Sequence, residues 1–423
     1  MSSAGPSLSC DNGSDAASAA APVTRYLARQ PILDLKGRVV AYELLYRDAA
    51  VEAFKGPGDS ASRAMIDNTI LYGLSKLTAG LPAFINCTAD TLLGEFIQIM
   101  PPLLTVLEIL ESVEVTEEIV KACDGLRRKG YRIALDDFEY RRSLNPLIRI
   151  ASFLKVDFLA TSTSTRSKLI SALPEFKGTF LAEKIETFAE YEKARQEGFT
   201  LVQGYYFCKP ILIRKGAVPA NRHVHLRLLR LMQEDPLNIR EIGEIVKSEP
   251  SLAYRLLRFV NSAVCAISQE VTSITTALLV VGDDLFRRMA TLAIAVELNV
   301  GPSPEILRMA LVRARFCEVS APHCKLNSTE QYLLGLFSLL DGMLQMPMEE
   351  ALAPLSLAAP IRDALLGTDA RRGGPLQWLE RHEHGDFSRC DELVVAYELE
   401  PGVMEQNYLE ATLWADELLA ESG

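Results

Sequence analysis

Eight cysteines are spread through the 423 residues, at positions 10, 87, 123, 208, 265, 317, 324 and 390, and no two of them form a CxxC pair. That spacing excludes a compact zinc or disulfide framework and fits the reduced, mostly buried thiols of a cytoplasmic protein. Long hydrophobic runs are missing as well. The best of them, Ala277 to Val281, runs into Gly282-Asp283-Asp284, far short of the ~18 uninterrupted apolar residues that a membrane span needs. Residues 1–22 contain no lysine or arginine and no apolar core, so they fail as a secretion signal and read as a disordered tail. There is no excess of positive charge: 44 Lys and Arg stand against 55 Asp and Glu, a net charge of -11. Gripping nucleic acid requires a basic surface, so DNA is not expected as a partner.

What is present is ordinary soluble-core material. Hydrophobic residues make up 48% and charged residues 23%, enough for two or three domains at this length. Charge divides the chain. Residues 23–214 hold 25 Lys and Arg against 24 Asp and Glu, whereas residues 215–423 hold 19 against 29. That asymmetry suggests two bodies with different partners, or else acidic helix faces that are simply solvated. The first half alternates short β-rich runs (82–87, 103–110, 131–138, 153–158, 178–185 and 200–207) with helix-like stretches, the signature of βα units and a parallel sheet. The second half consists of long apolar and charged periodic segments and reads as helical, with a hinge at Gly216 to Pro219.

Polar residues fall at or near the C-terminal ends of the strands: Glu43, Asn86, Glu108, Asp136 with Asp137, Lys155, Glu183 and Gln203. In a closed barrel those ends share one face and would line one pocket. Five carboxylates and an asparagine converging there repel one another unless a hard cation neutralises them, and an oxygen donor set suits Mg²⁺, Mn²⁺ or Ca²⁺. A metal-assisted phosphodiesterase site follows, with Lys155 placed to orient a water or meet developing charge.

These residues carry a resemblance to the EAL domains of bacterial cyclic-di-GMP signalling proteins. The Glu-Ala-Leu-x-Arg motif stands here as Glu43-Leu44-Leu45-Tyr46-Arg47, after an entry strand Arg29-Gln30-Pro31-Ile32. Asn86, Glu108 to Glu111, Asp136-Asp137-Phe138, Lys155 to Asp157, Ala182 to Thr187 and Gln203 to Phe207 match the later motifs in order. The resemblance implies that Glu43, Asn86, Glu108 and Asp136 bind a first Mg²⁺ or Mn²⁺ and that Asp137 helps hold a second. It implies catalytic roles for Lys155, Glu183 and Glu111, and ligand contacts for Gln30, Arg47 and Gln203. The sequence also departs from the family. The glycine-rich loop after Asp-Asp-Phe is replaced by Glu139-Tyr140-Arg141-Arg142-Ser143-Leu144, Cys87-Thr88 replaces the serine after the asparagine, and Lys184 stands where the motif has glycine. Arg141, Arg142 or Lys184 then becomes an alternative neutralising charge in place of a metal.

Residues 225–420 resemble the HDOD domain, a helical relative of the HD metal phosphohydrolases. The match is carried by Ile242 to Val246, Ser248 to Leu252, Arg255 to Ala263, and Ile274 to Leu285. Ser338 and Leu339 occupy the positions of the His-Asp dyad, so no metal is expected in this half. The pairs His223 and His225, and His382 and His384, read as exposed polar residues. The chain is identified as a member of the EAL-HDOD, YuxH-like family: an α/β plus all-α protein with a disordered tail at 1–22, an EAL-type (β/α) TIM-like barrel at 23–214 and a helical HDOD domain at 215–423. The expected function is cyclic-di-GMP-related signalling by a degenerate, inactive barrel acting as receptor or adaptor. The helical half would dock a protein partner, and a homodimer is allowed. The alternative is an active phosphodiesterase opening cyclic-di-GMP to linear pGpG.

Overall fold

The computed structural model describes residues 25–48, 73–94, 96–208, 220–234, 236–247, 274–298, 303–353, 359–367 and 374–422, and six further positions (252, 256, 257, 260, 355 and 357). The 1–22 segment, the hinge expected at 216–219 and the turn at Ser248 to Pro250 lie outside the described residues, as does the side chain of Arg47.

The first half closes into an eight-stranded barrel in sequential order: β1 (Arg25–Asp34), β2 (Val39–Asp48), β3 (Ala83–Cys87), β4 (Thr105–Ile109), β5 (Arg132–Leu135), β6 (Phe153–Asp157), β7 (Thr179–Glu183) and β8 (Leu201–Gln203). Strands β2 to β8 are mutually parallel, as the alternating pattern implies, but β1 runs antiparallel to both neighbours. The turn between β1 and β2 dictates that reversal. Asp34 accepts hydrogen bonds from the Lys36 and Arg38 amides at 2.8 and 3.0 Å, and Gly37 supplies a positive φ of 73°, a local Asx-type turn that sends the chain straight back. Helices after β4, β6 and β7 begin on Thr116, Ser162 and Thr187, each accepting a backbone N–H three residues on. Thr187 and Glu190 complete a reciprocal capping box. After β5 only a four-residue helix, Asn145–Ile148, remains.

The barrel interior is layered by the two-residue period of its strands. One layer is apolar: Ile32, Ala41, Phe84, Val106, Ala134 and Leu181, with Phe153 and Leu201 beside them. Two residues further toward the mouth, every strand changes character. Ala41 is followed by Glu43, Phe84 by Asn86, Val106 by Glu108, Ala134 by Asp136, Phe153 by Lys155, Leu181 by Glu183, and Leu201 by Gln203. On the antiparallel β1 the same step runs backward, from Ile32 to Gln30. A dry plug thus supports a polar ring, and the plug keeps water from the far end out of that ring.

The second half is helical. The Glu305–Ser320 helix is buried along most of its length and packs on the Ser328–Phe337 and Val403–Ser422 helices. Gly335 allows the close crossing, because a Cβ there would collide with the Arg313 carbonyl. This half lies against β1 and β2. Ser303 donates to the Gly37 carbonyl at 2.6 Å, and Arg29 forms a salt bridge with Asp416 at 2.9 Å. The guanidinium groups of Arg29 and Arg308 lie 4.8 and 5.6 Å from the Tyr42 ring centre. Among the described residues, no helix is long and apolar enough to cross a membrane.

Candidate active site at the barrel mouth

Every strand-end residue singled out from the sequence reaches the mouth of the barrel, and four carboxylates meet there on one ammonium. Lys155, only 1% exposed, has its Nζ 2.5 Å from Glu183 and 3.3 Å from both Glu43 and Asp136, and it also bonds Glu108. Glu43 receives a further hydrogen bond of 2.6 Å from Gln203 Nε2, and Asn86 Nδ2 stands 3.5 Å away. No donor among the described residues reaches the buried Glu108 Oε2 or Gln203 Oε1. One lysine against four acids leaves the group short of positive charge, and the protons respond. Burial, reinforced by the Glu43 charge, pushes the Glu108 carboxyl well above its usual range. Burial likewise raises Glu183 to about 8, against the lowering effect of Lys155. Burial also opposes ionisation of Asp136, but the Lys155 ammonium and several hydrogen bonds outweigh it and hold that carboxyl low. Lys155 itself is desolvated, yet the surrounding acids keep it firmly protonated.

This donor set fits a hard divalent cation. Carboxylate oxygens of Glu43, Glu108 and Glu183 lie within 4.8 Å of one another, and among the described residues the buried Glu108 Oε2 has no donor. Oxygen ligands at that spacing suit Mg²⁺ or Mn²⁺. A second group, Glu111, Asp136 and Asp137, has the same spacing and opens on a cavity of about 410 Å³ lined by residues 109–115 and 135–139 together with Arg141, Ser143, Leu144 and Leu147. Asp136 connects this second group to the inner ring through Lys155, 3.3 Å away. Among the described residues both groups lie in the barrel.

Two non-glycine residues at this mouth adopt left-handed backbone, Asp137 at φ 37° and Lys184 at φ 58°. Such strain is characteristic of functional sites. It is held by the Phe138 amide bonding the Lys155 carbonyl at 2.7 Å and the Ile185 amide bonding the Gln203 carbonyl at 3.0 Å. Lys184 pairs with Asp157 and lies 3.6 Å from Asp137, so it does sit beside the outer carboxylates. The arginines expected as alternative neutralising charges do not reach the inner group. Arg141 pairs with Glu139 at 3.1 Å on the surface, and Arg142 is exposed. Arg47 lies on β2 four residues beyond Glu43, paired with Tyr26.

Two readings of the helical half need correction. His225 and His382 are buried, not exposed. His382 is enclosed by Trp378, Phe387 and Tyr408 with ring centres 4.4–5.5 Å away, and burial lowers its pKa to about 3. The ring is thus neutral packing material. Ser338, expected at the dyad position, accepts from Arg313 at 3.2 Å and donates to the Gly335 carbonyl at 2.7 Å. Arg313 spans from there to Glu383 at 2.6 Å and Glu380 at 3.3 Å. Sequence reasoning missed this buried ion pair. Its only signal was the pair Arg313 and Arg315 inside the otherwise apolar stretch Met309 to Phe316.

The EAL domain model matches residues 63–210 and the HDOD domain model residues 218–344. The EAL match begins after Glu43, so β1 and β2 are placed in the domain by the closed barrel itself. Over 405 residues the chain is 32% identical to "Uncharacterized protein YuxH" of Bacillus subtilis, covering 93% of this chain and 98% of that protein. It is 30% identical to "Cyclic di-GMP phosphodiesterase CdgJ" of Vibrio cholerae, covering 93% of each. Among solved structures, the EAL domain of Mycobacterium smegmatis DcpA is 24% identical, with a TM-score of 0.36, covering 44% of this chain and 93% of that one. A barrel and a helical half matched in this order along nearly the whole length of both relatives make this chain a member of the YuxH-like EAL-HDOD family.

Proposed function

We propose that the barrel is a divalent-cation-dependent phosphodiesterase that adds water across one phosphodiester of cyclic-di-GMP and releases linear pGpG. One observation carries the proposal: Glu43, Glu108 and Glu183 converge within 4.8 Å, with Glu108 Oε2 buried and reached by no donor among the described residues. That is an arrangement of little use to a purely structural ion pair. The relative CdgJ, matched over 93% of both chains and named for this activity, supports the substrate. A bound cation would polarise the phosphoryl oxygen and acidify a water. The chain's own groups do the rest. Glu43, Asn86, Glu108 and Asp136 hold the site, Lys155 meets negative charge developing on phosphate, and Gln203 fixes the Glu43 carboxylate. Gln30 and Arg47 are assigned to the ligand, with a guanidinium suited to the second phosphate.

The altered 139–144 loop weighed against activity in the sequence. Its Glu139 and Arg141 pair with each other and line the cavity beside Glu111, Asp136 and Asp137, and no residue of the loop pairs with Glu43, Glu108 or Glu183 among the described residues. A second reading, binding without turnover, is favoured by Lys184, whose ammonium stands against Asp137 where a second cation would contribute. Chromatography of cyclic-di-GMP after incubation with Mn²⁺ separates the two. Linear dinucleotide formed by the wild type and not by Glu43→Gln supports hydrolysis; intact dinucleotide retained by a binding-competent wild type supports the receptor.

The same proposal places the boundary between the halves at 214/215, supported by a barrel whose last described element ends at Cys208 and a helix that begins at Ala220. It assigns the acidic helical half to docking a protein partner, with the chain working in the cytoplasm.

A further inference from the structure

The helical half touches the carboxylate ring through a chain of three hydrogen bonds. The Gly374–Glu383 helix is closed by a turn at Gly385, which takes φ 74°, and the His384, Gly385 and Asp386 amides turn back to carbonyls of the last turn. The Glu383 carbonyl is directed instead at the barrel. Gln30 Nε2 donates to it at 3.0 Å, and the Tyr205 hydroxyl donates to it as well. Gln203 Nε2 in turn donates to Gln30 Oε1 at 3.1 Å and to Glu43 Oε2 at 2.6 Å. The corner is clamped on both sides. The Glu383 carboxylate is held by the buried Arg313 at 2.6 Å, and the His384 ring stacks on Tyr205 with centres 4.3 Å apart.

We propose that Gln30 is a positioning residue through which the helical half sets the orientation of Gln203 and thereby the hydrogen bonding of the cation ligand Glu43. The argument is one of donor polarity. A carbonyl at a helix C-terminus only accepts, and it lies at the negative end of the helix dipole. The Gln30 carboxamide must therefore turn its NH₂ toward Glu383 and its oxygen toward the barrel. That oxygen only accepts, so Gln203 must present its own NH₂, and the second N–H of the same group is then aimed at Glu43. Among the described residues the buried Gln203 Oε1 is left without a donor, the cost of an orientation imposed from outside. Released from Glu383, both amides are free to turn over, and a reversed Gln203 would bring oxygen against the Glu43 carboxylate. Only the consequence for catalysis rests on the phosphodiesterase reading; the polarity of the chain does not.

The test uses the full-length protein with ¹⁵N-labelled glutamine. Side-chain amide signals of Gln203 are identified by their loss in Gln203→Met and compared in two further proteins. Gln30→Met breaks the chain in the middle. The pair Arg313→Met with Glu383→Gln loosens the corner without leaving a buried charge unpaired. The Gln203 signals are expected to move in both proteins. Mn²⁺ affinity is expected to fall about tenfold in Gln30→Met, the size of one hydrogen bond to a charged group. Gln203 signals at their wild-type positions in Gln30→Met overturn the proposal. Signals that move there but not in the Arg313 and Glu383 pair overturn the link to the helical half. A wild type that binds no Mn²⁺ would instead contradict the cation site, and the amide signals would still decide the chain of polarity.

Discussion

Lys155 is the counter-ion of an over-acidic ring, and its removal separates two roles. In the metal-free protein Lys155→Met strands Glu43, Glu108, Asp136 and Glu183 without their cation. Breaking a buried ion pair on one side costs about 3–5 kcal/mol, so denaturant unfolding should show a loss of that order. Mn²⁺ should restore much of it by replacing the missing charge; a metal-free variant as stable as the wild type would contradict the arrangement. Glu183 gives the pH dependence. Burial raises its pKa from 4.5 to about 8, so in the metal-free fold its proton is bound more tightly than in the unfolded chain. Its contribution to stability is whole below about 4.5 and is lost as pH rises to about 8. Unfolding free energy of the metal-free protein should fall across that window. With Mn²⁺ bound the carboxylate is already ionised, and this fall should be absent.

At the scale of elements, the two-residue period explains most of what could be read from the sequence. Strands β3 to β8 were legible because each is a short apolar run ending in a polar residue, and alternation then fixes which side chains enter the barrel. The direction of β1 was not legible. Its antiparallel course depends on the Asp34 turn and on pairing with β8, some 170 residues away in sequence. Gly204 marks another constraint that composition does not show. It takes φ 141°, and a Cβ there would collide with the Ile185 backbone. Gly204→Ala should therefore destabilise the protein by at least about 1 kcal/mol and disturb the strand that carries Gln203; an unchanged denaturation midpoint would count against this packing. Periodicity identified the long helices of the second half but passed over Gly374–Glu383 and Phe387–Ala396. The first is interrupted by the buried His382 and Glu383, residues that look like surface until Arg313, 70 positions earlier, is paired with Glu383.

For the molecule as a whole, the helical half is more than an appended module, because it is keyed into β1 residue by residue. Arg29, turned away from the barrel interior, bonds the Leu77 carbonyl and Asp416, while its neighbour Gln30 faces the ring. No sequence pattern could have paired Arg29 with Asp416 across 387 positions. Asp416→Asn leaves a guanidinium 4% exposed without its carboxylate, and a loss of about 1–3 kcal/mol is expected in equilibrium unfolding. Charge composition distinguished the two halves but carried no information about this seam. The account's central claim is that the barrel mouth is a cation site held in readiness by one lysine and by protons. Calorimetric titration of the metal-free protein with Mn²⁺ at pH 7, repeated in buffers of different ionisation enthalpy, tests that claim most directly. The account predicts binding with net proton release, because Glu108 and Glu183 must ionise to become ligands, and both signals should be lost in Glu43→Gln. Binding that releases no protons and survives Glu43→Gln, or no binding at all, would contradict it.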